Sequence, residues 1–469
     1  MPTGPLRPTL GLLALTLELY EGLDPGLRAG RDAWVRREVL PALEQFAEVE
    51  FGGAVYRRED VEAAVDGFEA AGADALLVML LTYSPSQIAL PALKATRLPI
   101  IIWNTQELYA VDETFDGPQM STNHGVHGTQ DLANVLLRSE VRFAYVTSHL
   151  SDPGGLTELA DFAVAAAAVR RLRRARLGIL GYPFPGMGDF ALDTTHMVAT
   201  LGSSAHVMPM EEYVRRAEGA PPAAVAELAA EYRTEYDVDG GVQDADLDAT
   251  ARVEVALRGM TAERTLDGFT YQFLAFGDDE RTPTVPFVAA SRLMADGLGF
   301  GGEGDLIAAA GSALLGWLMP PATFAEMFTV DYAGNSVWMS HMGECNVAMA
   351  RRDRKVRLVA RQHPITRTRR GQIALVTVLE PGPATLMALT LGAAGRWRLI
   401  ASRATIPDWG PLEGMSVPHF KLEPQDDVRA FLTGYASAGG PHHCAVCFGD
   451  ARSRIHAAAH LLAADYVEV

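Results

Sequence analysis

The residues best equipped for chemistry gather toward the C-terminal part of this chain. In GLGFGGEGD, 297–305, closely spaced glycines let the backbone pass near a site while presenting Glu303 and Asp305. TFAEMF sets Glu326 among aromatic rings, SHMGE sets His341 after the apolar Val337, Trp338 and Met339, and GGPHHCAVCFGD sets His442 and His443 after two glycines. Carboxylates so placed serve as general acids and bases, and imidazoles serve as acids, bases or metal ligands. Each also has a plainer reading, since a single His after an apolar run is commonly a hydrogen-bonded core residue.

Two further patterns invite a function and fail on context. Gly297, Gly299 and Gly302 spell GxGxxG, but that dinucleotide fingerprint needs a strand immediately before the glycines. Here 286–296 has helical spacing and ends in a glycine stop, so no nucleotide is expected. Cys444 and Cys447 form a CxxC whose zinc reading lacks a second pair, because Cys345 is the only other cysteine. Buried, inert thiols are expected instead.

The elements that must position these groups are legible in outline. A chain of 469 residues with 48% hydrophobic and 21% charged residues has the material for several folded domains. A formal net charge of −18 repels phosphate backbones and anionic lipid, so neither nucleic acid nor a membrane surface is an expected partner. The three cysteines suit a reducing cytoplasm. The apolar run 10–17 reads as a first buried strand, not a signal segment, because Glu18 follows at once. No later run reaches the ~18 apolar residues of a membrane span.

Apolar runs at 10–17, 75–81, 99–103 and 141–147 alternate with helical patterns near 59–71, 86–95 and 129–138, which predicts a doubly wound parallel sheet. Ligands of such sheets gather at the strands' carboxyl ends, here marked by Tyr83-Ser84-Pro85, Asn104-Thr105-Gln106 and Ser148-His149. A second parallel unit begins with the strand RLGILGY from Arg176, and GAPPAAVAELAAEY reads as a connecting helix. From Val356 onward short strands divided by Pro and Gly predict an antiparallel β-rich unit. The expected domains are a Rossmann-like α/β domain, 1–172, a central α/β domain with the paired glutamates, 173–330, and a C-terminal β-rich domain with the histidines, 331–469.

Taken together, the motifs resemble those of the L-arabinose isomerase / L-fucose isomerase-like family, of which this chain looks like a divergent member. FGGEGD, the FxE of Phe324 to Glu326, SHM with His341 and GGxHH with His442 and His443 occur in the family's order. LTYSPSQ, WNTQ, NHGVHG and PGPATLMALTLGAAGRWRLI are similar to its flanking segments.

The resemblance implies a cytoplasmic aldose–ketose sugar isomerase working through an enediol, with Glu303, Glu326, His341 and His443 holding one divalent cation. Manganese is the first choice and Co²⁺ an alternative, as a mixed carboxylate–imidazole site allows. Glu303 and Glu326 would be the catalytic pair. His124, His127, Met187, Phe276 and His442 would face the sugar, in a homotrimer or homohexamer where His127 reaches a neighbour's site. His124 stands where the arabinose enzymes carry Gln, and TLELY replaces their SQHLYG, so a different sugar is expected from an unchanged chemistry. The same metal site would also serve a sugar-acid decarboxylase or epimerase, and a non-catalytic sugar-binding protein is the alternative from another class.

Overall fold

The computed structural model describes residues 5–361, 366–368 and 372–469. The chain divides into two compact units, 6–170 and 171–469. In the first, strands β1 (Thr9–Leu15), β2 (Glu48–Glu50), β3 (Ala75–Leu80), β4 (Ile100–Asn104) and β5 (Phe143–Thr147) pair in parallel in the order β2-β1-β3-β4-β5. Helices α1 (Arg58–Ala71), α2 (Ser86–Ala95) and α3 (Val126–Arg138) provide the crossovers. The β3 sequence ALLVML is buried along its whole length, as expected for a parallel strand covered on both faces. Leu13, Val65, Leu76, Val78, Ile102 and Leu132 make its core. The expected strands and helices are all present, the helix 86–95 with the expected ends and the others with shifted ones. The short edge strand β2 was not foreseen: its EVE is mostly exposed and has no apolar pattern.

The second unit starts with another parallel sheet, of β6 (Arg176–Leu180), β7 (Ser204–Met208), β8 (Gly268–Tyr271) and β9 (Gly299–Gly301), in the order β9-β8-β6-β7. Helices α4 (Pro222–Glu235), α5 (Asp244–Glu263), α6 (Phe287–Ala295) and α7 (Leu306–Leu318) accompany it. The helical readings of GAPPAAVAELAAEY and of 286–296 hold as α4 and α6. α7, LIAAAGSALLGWL, is apolar on nearly every side because it lies between the parallel sheet and the strands that follow.

Those strands are β10 (Ala322–Asp331), β11 (Ser336–Ser340), β12 (Arg357–Arg361), β13 (Gln372–Val376), β14 (Gly382–Leu391), β15 (Trp397–Ile406), β16 (His419–Pro424), β17 (His443–Phe448) and β18 (Asp465–Glu468). Antiparallel pairing runs β14-β17-β10-β11-β16-β15, and β15 pairs back onto β14, so the sheet closes into a barrel. β18 adds to β15 in parallel, while β12 and β13 pair antiparallel in a separate small sheet that Asp237–Val238 joins in parallel with β12. Ala325, Val337, Met339, Leu386, Ile400 and Val446 fill the barrel side of the core.

The expectation that antiparallel structure starts at Val356 needs correction, because pairing already begins at Ala322. The first half of β10 is buried on both faces, against α7 and against the barrel interior, so it lacks the alternation that marks a half-exposed strand. Glu326 therefore sits on a strand and not on a loop.

Candidate metal centre

Strand register brings the predicted quartet together. Glu326 on β10 lies directly opposite His443 on β17 and, on its other side, opposite Ser340 on β11. Opposed residues of an antiparallel pair present their side chains on one face, and His341 follows Ser340 at once. Glu303 arrives from the turn between β9 and α7.

That turn depends on its glycines. Glu303 has φ 59° and Gly304 φ 89°, and a Cβ on Gly304 would stand 2.5 Å from the Pro183 Cα. A Cβ on Gly302 would stand 2.9 Å from His341 Nε2. The Glu303 carbonyl accepts from the Phe184 N–H at 2.9 Å, which fastens the turn to the segment after β6. Potential ligand atoms of Glu326, His341 and His443, and likewise of Glu303, His442 and His443, lie within 4.8 Å of one another.

Each imidazole is oriented by a carboxylate on its Nδ1. Glu344 Oε2 is 2.7 Å from His341 Nδ1 and also accepts from the Gly343 N–H at 3.0 Å, while its Oε1 accepts from the Tyr271 hydroxyl. Asp305 caps α7, its Oδ1 accepting from Ile307 and Ala308 N–H at 2.7 and 2.9 Å. Its Oδ2 is 2.9 Å from His443 Nδ1. Asp189 Oδ2 is 2.5 Å from His442 Nδ1. Phe324 meets both His341 and His443 edge-on, with ring centroids 4.7 and 4.9 Å away.

A divalent cation fits these donors. The Nε2 atom of His443 is buried without a hydrogen-bond partner among the described residues, and a carboxylate behind an imidazole is the common support of a metal-binding histidine. Burial, with the charges of His442 and His341, holds His443 well below its ordinary pKa, so it is the neutral ligand form. Burial lifts Asp305 to about 7, against two backbone N–H bonds that favour its ionised form. With Asp305 accepting at Nδ1–H, the His443 Nε2 lone pair faces the site.

The two glutamates are driven apart. Burial works to raise Glu303, but the His442 imidazole, 3.8 Å away, and the charge of His341 outweigh it, and its pKa is lowered. Burial raises Glu326 beyond what His341 and His442 can offset. His442 is pushed up to about 9, burial opposing its protonation but Glu303 and Asp189 prevailing.

The remaining predicted residues fall elsewhere. Met187 is half-buried in the irregular segment after β6. Phe276 is fully buried, edge-on to Tyr213 and Tyr271, so it backs Tyr271 from within the core. His124 and His127 belong to the first unit: His124 Nε2 is 3.0 Å from the Tyr20 hydroxyl, and His127 stacks flat on Tyr83 with centroids 4.8 Å apart. The three cysteines are free and buried, as expected. Sequence reasoning missed the roles of Asp189, Glu344 and Tyr271. For Glu344 a signal existed, an acid three residues after His341.

Two family profiles match the second unit: the L-arabinose isomerase central domain over residues 192–318 and the L-arabinose isomerase C-terminal domain over residues 321–465. The chain is a divergent member of the L-arabinose isomerase family. Its distance within the family is plain from three relatives, each named L-arabinose isomerase. That of Acidothermus cellulolyticus is 28% identical over 397 residues, 81% of this chain and 77% of the relative. That of a Nocardioides species is 29% identical over 380 residues, 77% and 73% of the two chains. That of Thermotoga maritima is 26% identical over 392 residues, 81% and 77%. The family's enzymes are aldose–ketose isomerases, intramolecular oxidoreductases. No helix among the described residues is long and apolar enough to cross a membrane.

Proposed function

We propose that this chain is a divalent-metal-dependent aldose–ketose sugar isomerase acting through an enediol. One observation carries the reading: Glu326 and His443 face each other across β10 and β17, with His341 and Glu303 converging on them. Glu303, Glu326, His341 and His443 would hold the cation, Mn²⁺ first by resemblance and Co²⁺ next. When bound, such a cation polarises sugar oxygens as a Lewis acid.

The protein's own groups divide the proton traffic. Glu303, held ionised, takes the proton from the carbon bearing a hydroxyl and returns it to the neighbouring carbon. Glu326, the carboxyl of higher proton affinity, exchanges a proton with the two sugar oxygens in turn. Opposed proton affinities in one site are how two carboxyls take acid and base roles. By resemblance, His442, Met187, His124 and His127 would be sugar contacts, and the protein would be a cytoplasmic homotrimer or homohexamer. Phe276 contributes as backing.

The test is to load purified protein with Mn²⁺ and screen pentoses, hexoses and deoxy sugars for ketose formation, with Glu303→Gln and Glu326→Gln as controls. Ketose from wild type and none from the controls supports the proposal. An epimer or CO₂ without ketose would replace it with an epimerase or decarboxylase, and sugar binding without turnover would replace it with a binding protein.

A further inference from the structure

Three imidazoles converge on the centre, and the carboxylates behind them are not equivalent. Glu344 and Asp305, behind His341 and His443, are 2% exposed. The third pair lies at the rim, with the side chains of His442 and Asp189 31% and 36% exposed. Asp189 nevertheless grips His442 twice, accepting from its backbone N–H at 3.1 Å and lying 2.5 Å from its Nδ1. A ring tied to one oxygen through its own backbone and its Nδ1 has little freedom to rotate. Its Nε2 is left 3.8 Å from Glu303 Oε2, too long for a hydrogen bond, and without another partner among the described residues.

Asp189 sits on an irregular segment that is itself fastened to the centre on both sides. Phe184 N–H donates to the Glu303 carbonyl at 2.9 Å. Phe190 lies nearly parallel to the His443 ring, with centroids 5.6 Å apart and planes 11° apart. The segment thus sets Asp189 relative to Glu303 and His443 together.

We propose that Asp189 is a positioning residue that aims His442 Nε2 over Glu303, into the space a sugar oxygen enters, so that His442 works on the substrate and stays outside the metal's ligand set. This rests on the isomerase reading above. Asp189 acts only through His442 and needs no contact with the sugar.

The experiment compares the full-length wild type with Asp189→Ala and Asp189→Asn, each Mn²⁺-loaded. Misplacing a substrate-facing group costs up to about 100-fold in rate, and that loss is expected in kcat/KM for Asp189→Ala. Asparagine keeps an oxygen for both bonds, so Asp189→Asn should recover most of that activity. Mn²⁺ affinity by calorimetry should stay within about threefold for both, well short of the loss a displaced ligand support produces. The crystal structure of Asp189→Ala should show the His442 ring turned away from Glu303.

A His442 ring unmoved in that structure overturns the proposal, as does an Asn variant as impaired as Ala. A tenfold loss of Mn²⁺ affinity would make His442 a metal ligand and also overturn it. If wild type itself isomerises no sugar, the functional reading fails, while the ring position and the Mn²⁺ affinity still judge Asp189.

Discussion

Asp305 does two jobs with two oxygens, and one substitution separates them. In Asp305→Asn the amide oxygen can keep accepting from Ile307 and Ala308, the bonds now 2.7 and 2.9 Å long that start α7. Asn and Asp are about equal as helix caps, so stability should change by less than ~0.5 kcal/mol. The amide nitrogen then faces His443 Nδ1, now 2.9 Å from a carboxylate oxygen. It donates where Asp accepted, which drives the imidazole proton onto Nε2 and removes the lone pair offered to a cation. The expected loss of Mn²⁺ affinity is about 10–100-fold, or ~1.4–2.7 kcal/mol. Asp305→Ala loses the cap as well, a further ~1 kcal/mol of folding stability. Urea unfolding of the metal-free proteins and Mn²⁺ calorimetry read the two effects separately. An Asn variant that binds Mn²⁺ like wild type, or that unfolds as easily as the Ala variant, would refute the division of labour.

Three other outcomes follow from the same geometry. Gly302→Ala puts a methyl 2.9 Å from His341 Nε2 and 3.0 Å from Phe324 Cζ, so Mn²⁺ affinity should fall tenfold or more in calorimetry while circular dichroism stays that of a folded protein. Glu303→Gln and Glu326→Gln should each lower turnover by about 10²–10⁴-fold, the usual worth of a general acid or base, with the unfolding temperature of the metal-free proteins close to wild type. Adding Mn²⁺ at 100 times its Kd to chelator-treated protein should stabilise it by about 2.7 kcal/mol, a rise of ~5 °C in a thermal melt. No rise would mean that the cluster holds no metal.

The parts legible in the sequence are those whose cause is local. β3 and β4 announce themselves as unbroken apolar runs because both faces are covered, and the Glu303 turn announces itself through its glycines. The quartet could be named because each member carries a distinctive flank. What binds those members together is not local. The facing of Glu326 and His443 is a register between strands far apart in the chain. Asp189 meets His442 across 253 residues, and nothing around GMGDF marks it as a partner for an imidazole. β10 was hidden for a different reason: Phe324 and Ala325 are buried on opposite sides of the strand, in separate cores, so the period of two that betrays most strands is missing. Phe276 differs again: its approximate place among sugar contacts comes from resemblance, and nothing in its flank announces the core that encloses it.

The closed barrel also orders events during synthesis. β17 is nearly the last strand to be made, yet it lies between β14 and β10, both complete long before. Until residues 443–448 leave the ribosome, those two strands keep open edges toward each other, the kind of edge that recruits foreign strands. A chain stalled or cut before that point would lack His442 and His443 of the candidate centre and leave two unpaired strand edges facing each other.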